Sequence, residues 1–390
     1  MPGMTIGQKW SYPYIDCLRG YAILLVITCH LTYSYLDLPY PVHRLTVLGW
    51  HGVQLFFLTS CLTLLMSWRG EVSRLGQADI GAFFIRRVFR IIPAYYLGGL
   101  LYFWLDPPAH GFDLGQFLTA YGFVNLWHPL TAPTVMGQWS VIPGGWSISV
   151  EFTFYALFPL IAFAVTSLRR AVFFTLGALA FAILANRLYF ADLAGYYTPR
   201  AIEDILYFWL PNQLPVFALG TVIFFLLERG AFLVPGRRAD GVAVVALVLF
   251  FALSWLGFPQ WAGESAWILG MAQAAALPLG LFVLALARAK PGFFVNPVVA
   301  MVGKISFSAY LLHYAAIELL PERFPHLFHA HATGYAAIAA YAGGWLVVTG
   351  ATCAGAFCTY RAIELPMINV AREISRARRT RLAALAEGGG

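Results

Sequence analysis

The sequence predicts an all-α polytopic membrane protein with about ten transmembrane helices and both termini in the cytoplasm. Three observations carry that reading. Hydrophobic residues make up 60% of the 390 and charged residues only 11%, with a mean hydropathy of +0.71, more apolar surface than a soluble domain of this length can bury. Apolar runs of about 20 residues, long enough to cross a bilayer as a helix, recur from end to end. The basic residues then fall on one side: with the N-terminus inside, only Arg44, Arg187, Arg200 and Arg323 of the 25 Lys and Arg lie outside.

The expected spans are 14–36, 50–68, 88–105, 146–166, 171–190, 211–228, 241–257, 265–287, 298–320 and 334–358. The first lacks the charged leader and small-residue cleavage site of a secretory signal and is expected to be retained. It carries Arg19 and His30, eleven positions apart, which places them within about 20° of one helix face and roughly 16 Å apart along the axis. Ionisable groups are costly in hydrocarbon, so this pair marks a protein-lined or water-lined site. The third span opens on Arg86, Arg87 and Arg90, of which Arg87 and Arg90 are helix neighbours. The connection 106–145, rich in Pro, Gly, Trp and His, suits a folded loop over an outward-facing cavity.

The fourth span begins with Trp146 and places Ser147 and Glu151 on one face. Glu151 is read as a carboxylate that orients His30, stabilises its protonated form or bonds acceptor hydroxyls; the plainer reading is an acid favoured at a helix N-terminus, with Ser147 or Ser149 as the cap. Trp146 and Ser149 are read as substrate-binding residues, Trp146 as a stacking platform whose plainer reading is an interfacial anchor. The segment 196–213, with Arg200, Glu203, Asp204, Trp209 and Asn212, suits carbohydrate contact or an amphipathic interface helix. In the ninth span Ser306, Tyr310 and His313 form a polar stripe, which serves substrate binding or hydrogen bonding between helices. The chain divides into a transmembrane domain, 1–371, and a basic cytoplasmic tail, 372–390, whose arginines suit anionic lipid. Cys17, Cys29, Cys61, Cys353 and Cys358 lie in or beside apolar runs without metal-ligand or oxidoreductase spacing, so they are expected to pack, and no metal is expected.

Several short motifs occur in order along these spans. They are Ile15-Asp16-Cys17-Leu18-Arg19-Gly20-Tyr21-Ala22 with His30; Phe56-Phe57-Leu58-Thr59-Ser60-Cys61; Arg86-Arg87-Val88-Phe89-Arg90 with Pro93 and Tyr95; and Trp146-Ser147-Ile148-Ser149-Val150-Glu151. Gly303-Lys304-Ile305-Ser306-Phe307-Ser308-Ala309-Tyr310-Leu311-Leu312-His313 and Ile363-Glu364-Leu365-Pro366 complete the set. Over nearly its whole length the chain resembles the acyltransferase 3 family of membrane O-acyltransferases. It departs from the pattern at Cys61, where the family usually has Gly, and at Phe307, where Tyr is common.

The resemblance implies transfer of an acyl group, often acetyl, from cytoplasmic acyl-CoA to a hydroxyl of an extracytoplasmic or membrane-bound acceptor, commonly a sugar. The natural setting is a bacterial inner membrane. A sugar hydroxyl needs a positioned base, and His30 is the candidate, its plain alternative being a core histidine. Arg87 and Arg90 present forks that match the phosphates of coenzyme A, beside their topological role. Lys304 and Arg19 add to that entrance, or Arg19 stabilises charge on the thioester oxygen. Direct attack is favoured over an acyl-enzyme through Ser60, Ser149 or Cys61, none of which has an adjacent base. The expected partners are a carbohydrate or glycolipid acceptor and membrane lipid, not nucleic acid. The competing classes are a glycolipid or acyl-group transporter or flippase without bond chemistry, and a receptor or scaffold whose polar stripes only specify packing.

Overall fold

The structure, a computed structural model, describes residues 12–107, 113–127, 142–199, 202, 206–230, 236–255, 270–329 and 332–388. Its described elements are helices: α1 (Pro13–Thr32), α2 (Tyr40–Val47), α3 (Gly52–Leu75), α4 (Ile80–Leu105), α5 (Leu114–Tyr121), α6 (Trp146–Ala164) and α7 (Leu168–Leu193). They continue as α8 (Leu210–Glu228), α9 (Gly236–Ala252), α10 (Met271–Leu286), α11 (Pro297–Lys304), α12 (Ser306–Arg323), α13 (Gly334–Thr359) and α14 (Leu365–Gly388). Local chemistry sets several boundaries. Pro13 opens α1, where a missing N–H costs nothing. Asp79 caps α4 by accepting from Ala82 N at 3.0 Å, and Asn296 caps α11 by accepting from Val299 N at 2.9 Å.

Among the described residues seven helices are long and apolar enough to cross a membrane, and eight if α11 and α12 count as one span. Each of the ten expected spans overlaps a helix, but α9 and α10 have only 17 and 16 residues and the expected ninth span is broken by 79° at Ile305. Burial sorts the layers. The spanning windows of α1, α3 and α8 are 61%, 72% and 67% buried, whereas α4, α7 and the run from α13 into α14 are 28% buried and turn apolar side chains outward. Phe173, Leu176, Leu184 and Leu188 on α7 belong to that outer surface.

The motif glycines let α11 lie directly on α1. A Cβ on Gly303 would collide with the Asp16 carbonyl, and one on Gly20 with the Val299 carbonyl, so van der Waals contact runs backbone to backbone as between small residues in membrane helices. The break at Ile305 exposes the first turn of α12, which has no side-chain cap of its own. Glu364 fills that role from a π-helical turn (Tyr360–Glu364) between α13 and α14: it accepts from Ser308 N at 3.0 Å and from the Ser308 hydroxyl. A carboxylate at a helix N-terminus also opposes the dipole favourably. The motif around Glu364 therefore fixes the start of the helix that carries Tyr310 and His313.

The stretch expected to be a basic tail continues α14 and folds back on the α3–α4 turn. Arg378 pairs with Asp79 at 3.1 Å, and Arg379 and Arg86 reach Glu71 at 3.5 and 3.0 Å. The segment expected to face carbohydrate is partly interior: Asn212 exchanges two 2.8 Å hydrogen bonds with Asn186, and Trp209 is buried against Tyr189. Arg200, Glu203 and Asp204, and residues 108–112 and 128–141 of the connection 106–145, lie outside the described residues.

Candidate active site

Helices α1, α3, α4, α6 and α12 line an open-mouthed cavity of ≈ 80 Å³. Five of the six motifs contribute to its wall, all but the one around Glu364. Arg19 comes from α1, Phe56, Ser60 and Thr63 from α3, Arg87 and Arg90 from α4, Ser147, Glu151 and Tyr155 from α6, and Ser306, Phe307 and Tyr310 from α12. The helix period explains the selection: 147, 151 and 155 are successive i, i+4 positions, as are 306 and 310. Two helix N-termini, those of α6 and α12, also meet this cavity through Ser147 and Ser306, adding positive potential to three guanidiniums. Glu151 is the one carboxylate in the lining, and Asp16 and Glu364 act on Arg19 and Arg90 from outside it.

The polar groups form a chain. Arg19 Nη2 donates to Thr63 Oγ1 at 3.3 Å, and Thr63 Oγ1 to the Ser60 carbonyl at 3.0 Å. Glu151 Oε1 accepts from both the Ser60 hydroxyl and the Tyr155 hydroxyl. Arg87 lies over the rings of Phe83 and Tyr155, 5.3 and 5.7 Å from their centroids, and its buried Nε has no hydrogen-bond partner. Such an unmatched donor beside Arg90 is chemically suited to an incoming anion.

Tyr310 closes one side. Its hydroxyl donates to Gly144 O at 2.8 Å and accepts from Ser147 Oγ at 2.8 Å, tying α12 to the start of α6. Behind Tyr310 stand the two histidines: the His313 ring is 5.4 Å from that of Tyr310, and the His30 ring is 5.1 Å from that of His313. His30 Nδ1 lies 2.9 Å from His313 Nε2, and His313 Nδ1 lies 2.6 Å from the Tyr310 carbonyl oxygen. Trp50 and Tyr314 flank His30, with centroids 6.3 and 4.5 Å away.

The sequence-derived candidates separate accordingly. Arg19, Arg87, Arg90, Glu151 and Tyr310 converge on the cavity, while His30 and His313 form the pair behind it. Glu151, expected as a partner of His30, instead bonds Ser60 and Tyr155, so Ser60, expected without an adjacent base, has a carboxylate beside it, while His30 Nδ1 is paired with His313. Trp146 packs inward among Phe57, Tyr207 and Phe208 rather than lining the cavity. Ser149, expected to bind substrate, is fully buried off the cavity face, its Oγ unbonded. Lys304 is exposed at the end of α11 and does not line the cavity, although its charge acts on Asp16.

The family described as "Acyltransferase domain", acyltransferase 3, matches residues 12–361. The chain belongs to the acyltransferase 3 family. It is a membrane acyltransferase, and the five helices that build the cavity all lie within the matched residues. It is similar to "Acyltransferase MdmB" of Streptomyces mycarofaciens, at 27% identity over 83% of this chain and 82% of that protein. It is also similar to a "Putative O-acetyltransferase" of Staphylococcus aureus strain COL, at 25% identity over 82% of this chain and 53% of that protein, so it spans about half the length of that relative. A "Putative acetyltransferase" of the Acidianus two-tailed virus is 25% identical over 81% of this chain and 86% of its own. No solved structure matches.

In this acyltransferase the departure at Cys61 is met across the helix pair. Cys61 packs on Gly220 of α8, where a Cβ would come within 2.8 Å of the Cys61 Cβ. Phe307, the other departure, lines the cavity and brings no hydroxyl to it. Tyr155 and Thr63 are functional-wall residues to which sequence reasoning gave no role. Their spacing was the available signal, Tyr155 one turn beyond Glu151 and Thr63 three positions beyond Ser60.

Proposed function

We propose that this acyltransferase carries an acyl group, acetyl in the first instance, from cytoplasmic acyl-CoA to a hydroxyl of a sugar in a surface polysaccharide or glycolipid. The observation that carries the reading is the convergence of Arg19, Arg87 and Arg90 on one cavity, separated from the His30–His313 pair by Tyr310. Three guanidiniums against one carboxylate in the lining suit an anionic donor, and Arg87 and Arg90 are the phosphate ligands in this scheme. In this scheme the cavity receives phosphate oxygens of the donor, and the thioester reaches past Tyr310 toward His30.

His30 acts as general base. The acceptor oxygen attacks the thioester carbonyl as His30 takes its proton, the C–S bond breaks, and the proton passes to the departing thiolate, while Arg19 joins Arg87 and Arg90 on the donor's phosphates. Glu151 holds Ser60 and Tyr155 in the wall. The scheme places ten crossings in a bacterial inner membrane with both termini cytoplasmic, so that donor and acceptor arrive from opposite faces. The test is CoA release from acyl-CoA, with and without a crude glycan or glycolipid fraction, by the protein in nanodiscs. Acceptor-dependent release that falls about 10²- to 10⁴-fold in a folded His30→Ala variant supports the scheme. Equal release in both proteins removes His30 as base, and movement of glycolipid without thioester consumption establishes the transporter reading instead.

A further inference from the structure

The histidine pair contains more information than proximity, because the proton on each ring nitrogen can be placed from its partner. The chain of contacts ends on the Tyr310 carbonyl oxygen, 2.6 Å from His313 Nδ1. A carbonyl oxygen only accepts, so Nδ1 of His313 carries the proton and the neutral ring keeps its lone pair on Nε2. That Nε2 is 2.9 Å from His30 Nδ1. His30 must therefore donate from Nδ1, and its own lone pair is left on Nε2.

We propose that His313 is a positioning residue that holds His30 as the Nδ1–H tautomer and so presents Nε2 of His30 to the acceptor hydroxyl. The inference rests on the reading of His30 as base and adds what keeps that base in its working form. The supporting frame is rigid. His313 is fully buried, α12 is capped by Glu364 on Ser308, and the Tyr310 hydroxyl is fixed to Gly144. Turning the His30 ring over would exchange Nδ1 for a carbon and break the bond, while Tyr314 at 4.5 Å limits where the ring can go. In the reaction Nε2 of His30 receives the hydroxyl proton as the acceptor O–C bond forms. It returns that proton to the thiolate when the C–S bond breaks. Throughout, the Nδ1–H bond to neutral His313 stays in place, so His313 neither gains nor loses a proton.

The experiment combines ¹⁵N spectra of histidine-labelled full-length protein in nanodiscs, with His30→Asn used to assign the His30 signals, and CoA-release kinetics. The expected wild-type result is His30 protonated on Nδ1 and bare on Nε2, a measurement that depends on no variant folding. His313→Ala should release the tautomer and lower kcat about 10- to 100-fold while KM for acyl-CoA changes little. His313→Gln, whose Oε1 can accept in place of Nε2, should restore the tautomer and most of the lost rate. Wild-type His30 protonated on Nε2 overturns the inference, as does His313→Ala with an unaltered tautomer or with only KM changed. If the tautomer follows His313 as expected while turnover is unaffected, the positioning holds and the assignment of His30 as base fails.

Discussion

Replacing Glu151 by Gln separates two roles that a carboxylate could have in this cavity. Glu151 Oε1 takes two hydroxyl protons, from Ser60 and Tyr155, and makes no bond to His30, whose Nδ1 is taken by His313. Gln keeps an acceptor oxygen in the same place and removes the charge. Hydrogen bonds to a charged group are worth about 1.5–3 kcal/mol and neutral ones about 0.5–1.5, so two such bonds lose about 2 kcal/mol together. If all of that loss is felt in the transition state, kcat/KM falls about thirtyfold. The pH dependence of kcat should keep its wild-type form, because the base and its partner are untouched. Glu151→Ala leaves Ser60 and Tyr155 only each other, at 3.4 Å, and should cost about 1–2 kcal/mol more in thermal unfolding. The assay is CoA release across pH 5 to 9, roughly the range in which histidine titrates, together with unfolding followed by tryptophan fluorescence. A displaced limb of the pH profile in Glu151→Gln, with a loss far beyond thirtyfold, would put Glu151 on His30 and refute the assignment.

Other positions test the framework. Glu364→Ala leaves the Ser308 N–H and hydroxyl buried without an acceptor, at about 1–3 kcal/mol each, whereas Glu364→Gln keeps the acceptor and should lose about 1 kcal/mol; unfolding in nanodiscs ranks them, and equal losses would deny the capping role. Gly303→Ala drives a methyl into the Asp16 carbonyl and should lower stability by about 1–3 kcal/mol or more, read as a fall in folded yield. Glu71 is 3% exposed and holds Arg86 and Arg379, so Glu71→Ala should cost about 3 kcal/mol, against under about 1 kcal/mol for the half-exposed Arg378→Ala, with only the latter effect erased by salt. Burial works to raise the Asp79 carboxyl, but the Ala82 N–H and Arg378 outweigh it and hold it below its ordinary 3.8. Its stabilising contribution is present above the ordinary value and lost as pH falls through the lowered one, so wild type and Asp79→Asn should differ in melting temperature at pH 7 and converge as pH falls through that lowered value.

What the sequence revealed follows from what a single helix can encode. Periodicity placed Ser147 with Glu151, Arg87 with Arg90, and Ser306 with Tyr310, and all six line one cavity. The same periodicity places Ser149 off that face, a consequence obscured by its place in the Trp-Ser-x-Ser-x-Glu motif. Partnerships across helices were illegible: nothing within α1 says that the neighbour of His30 sits 283 residues away, and nothing in α6 says that Trp146 turns toward Tyr207. The bend at Ile305 was hidden for a related reason. An apolar run reads the same whether straight or turned by 79°, and the group that makes the turn tolerable, Glu364, comes from a different helix.

The docking of α14 on the α3–α4 turn gives the C-terminal helix a mechanical role. Asp79, which receives Arg378, is also the residue that caps α4, and α4 presents Arg87 and Arg90 about two and three turns further along. The last helix is thus geared to the helix that holds the cavity's arginines: a pull on α14 reaches α4 through two carboxylates, Asp79, which caps α4, and Glu71, which holds Arg379 and Arg86 together. Truncation at residue 371, in front of those contacts, would remove a strut rather than a loose end, whereas an extension added beyond Gly388 leaves it in place.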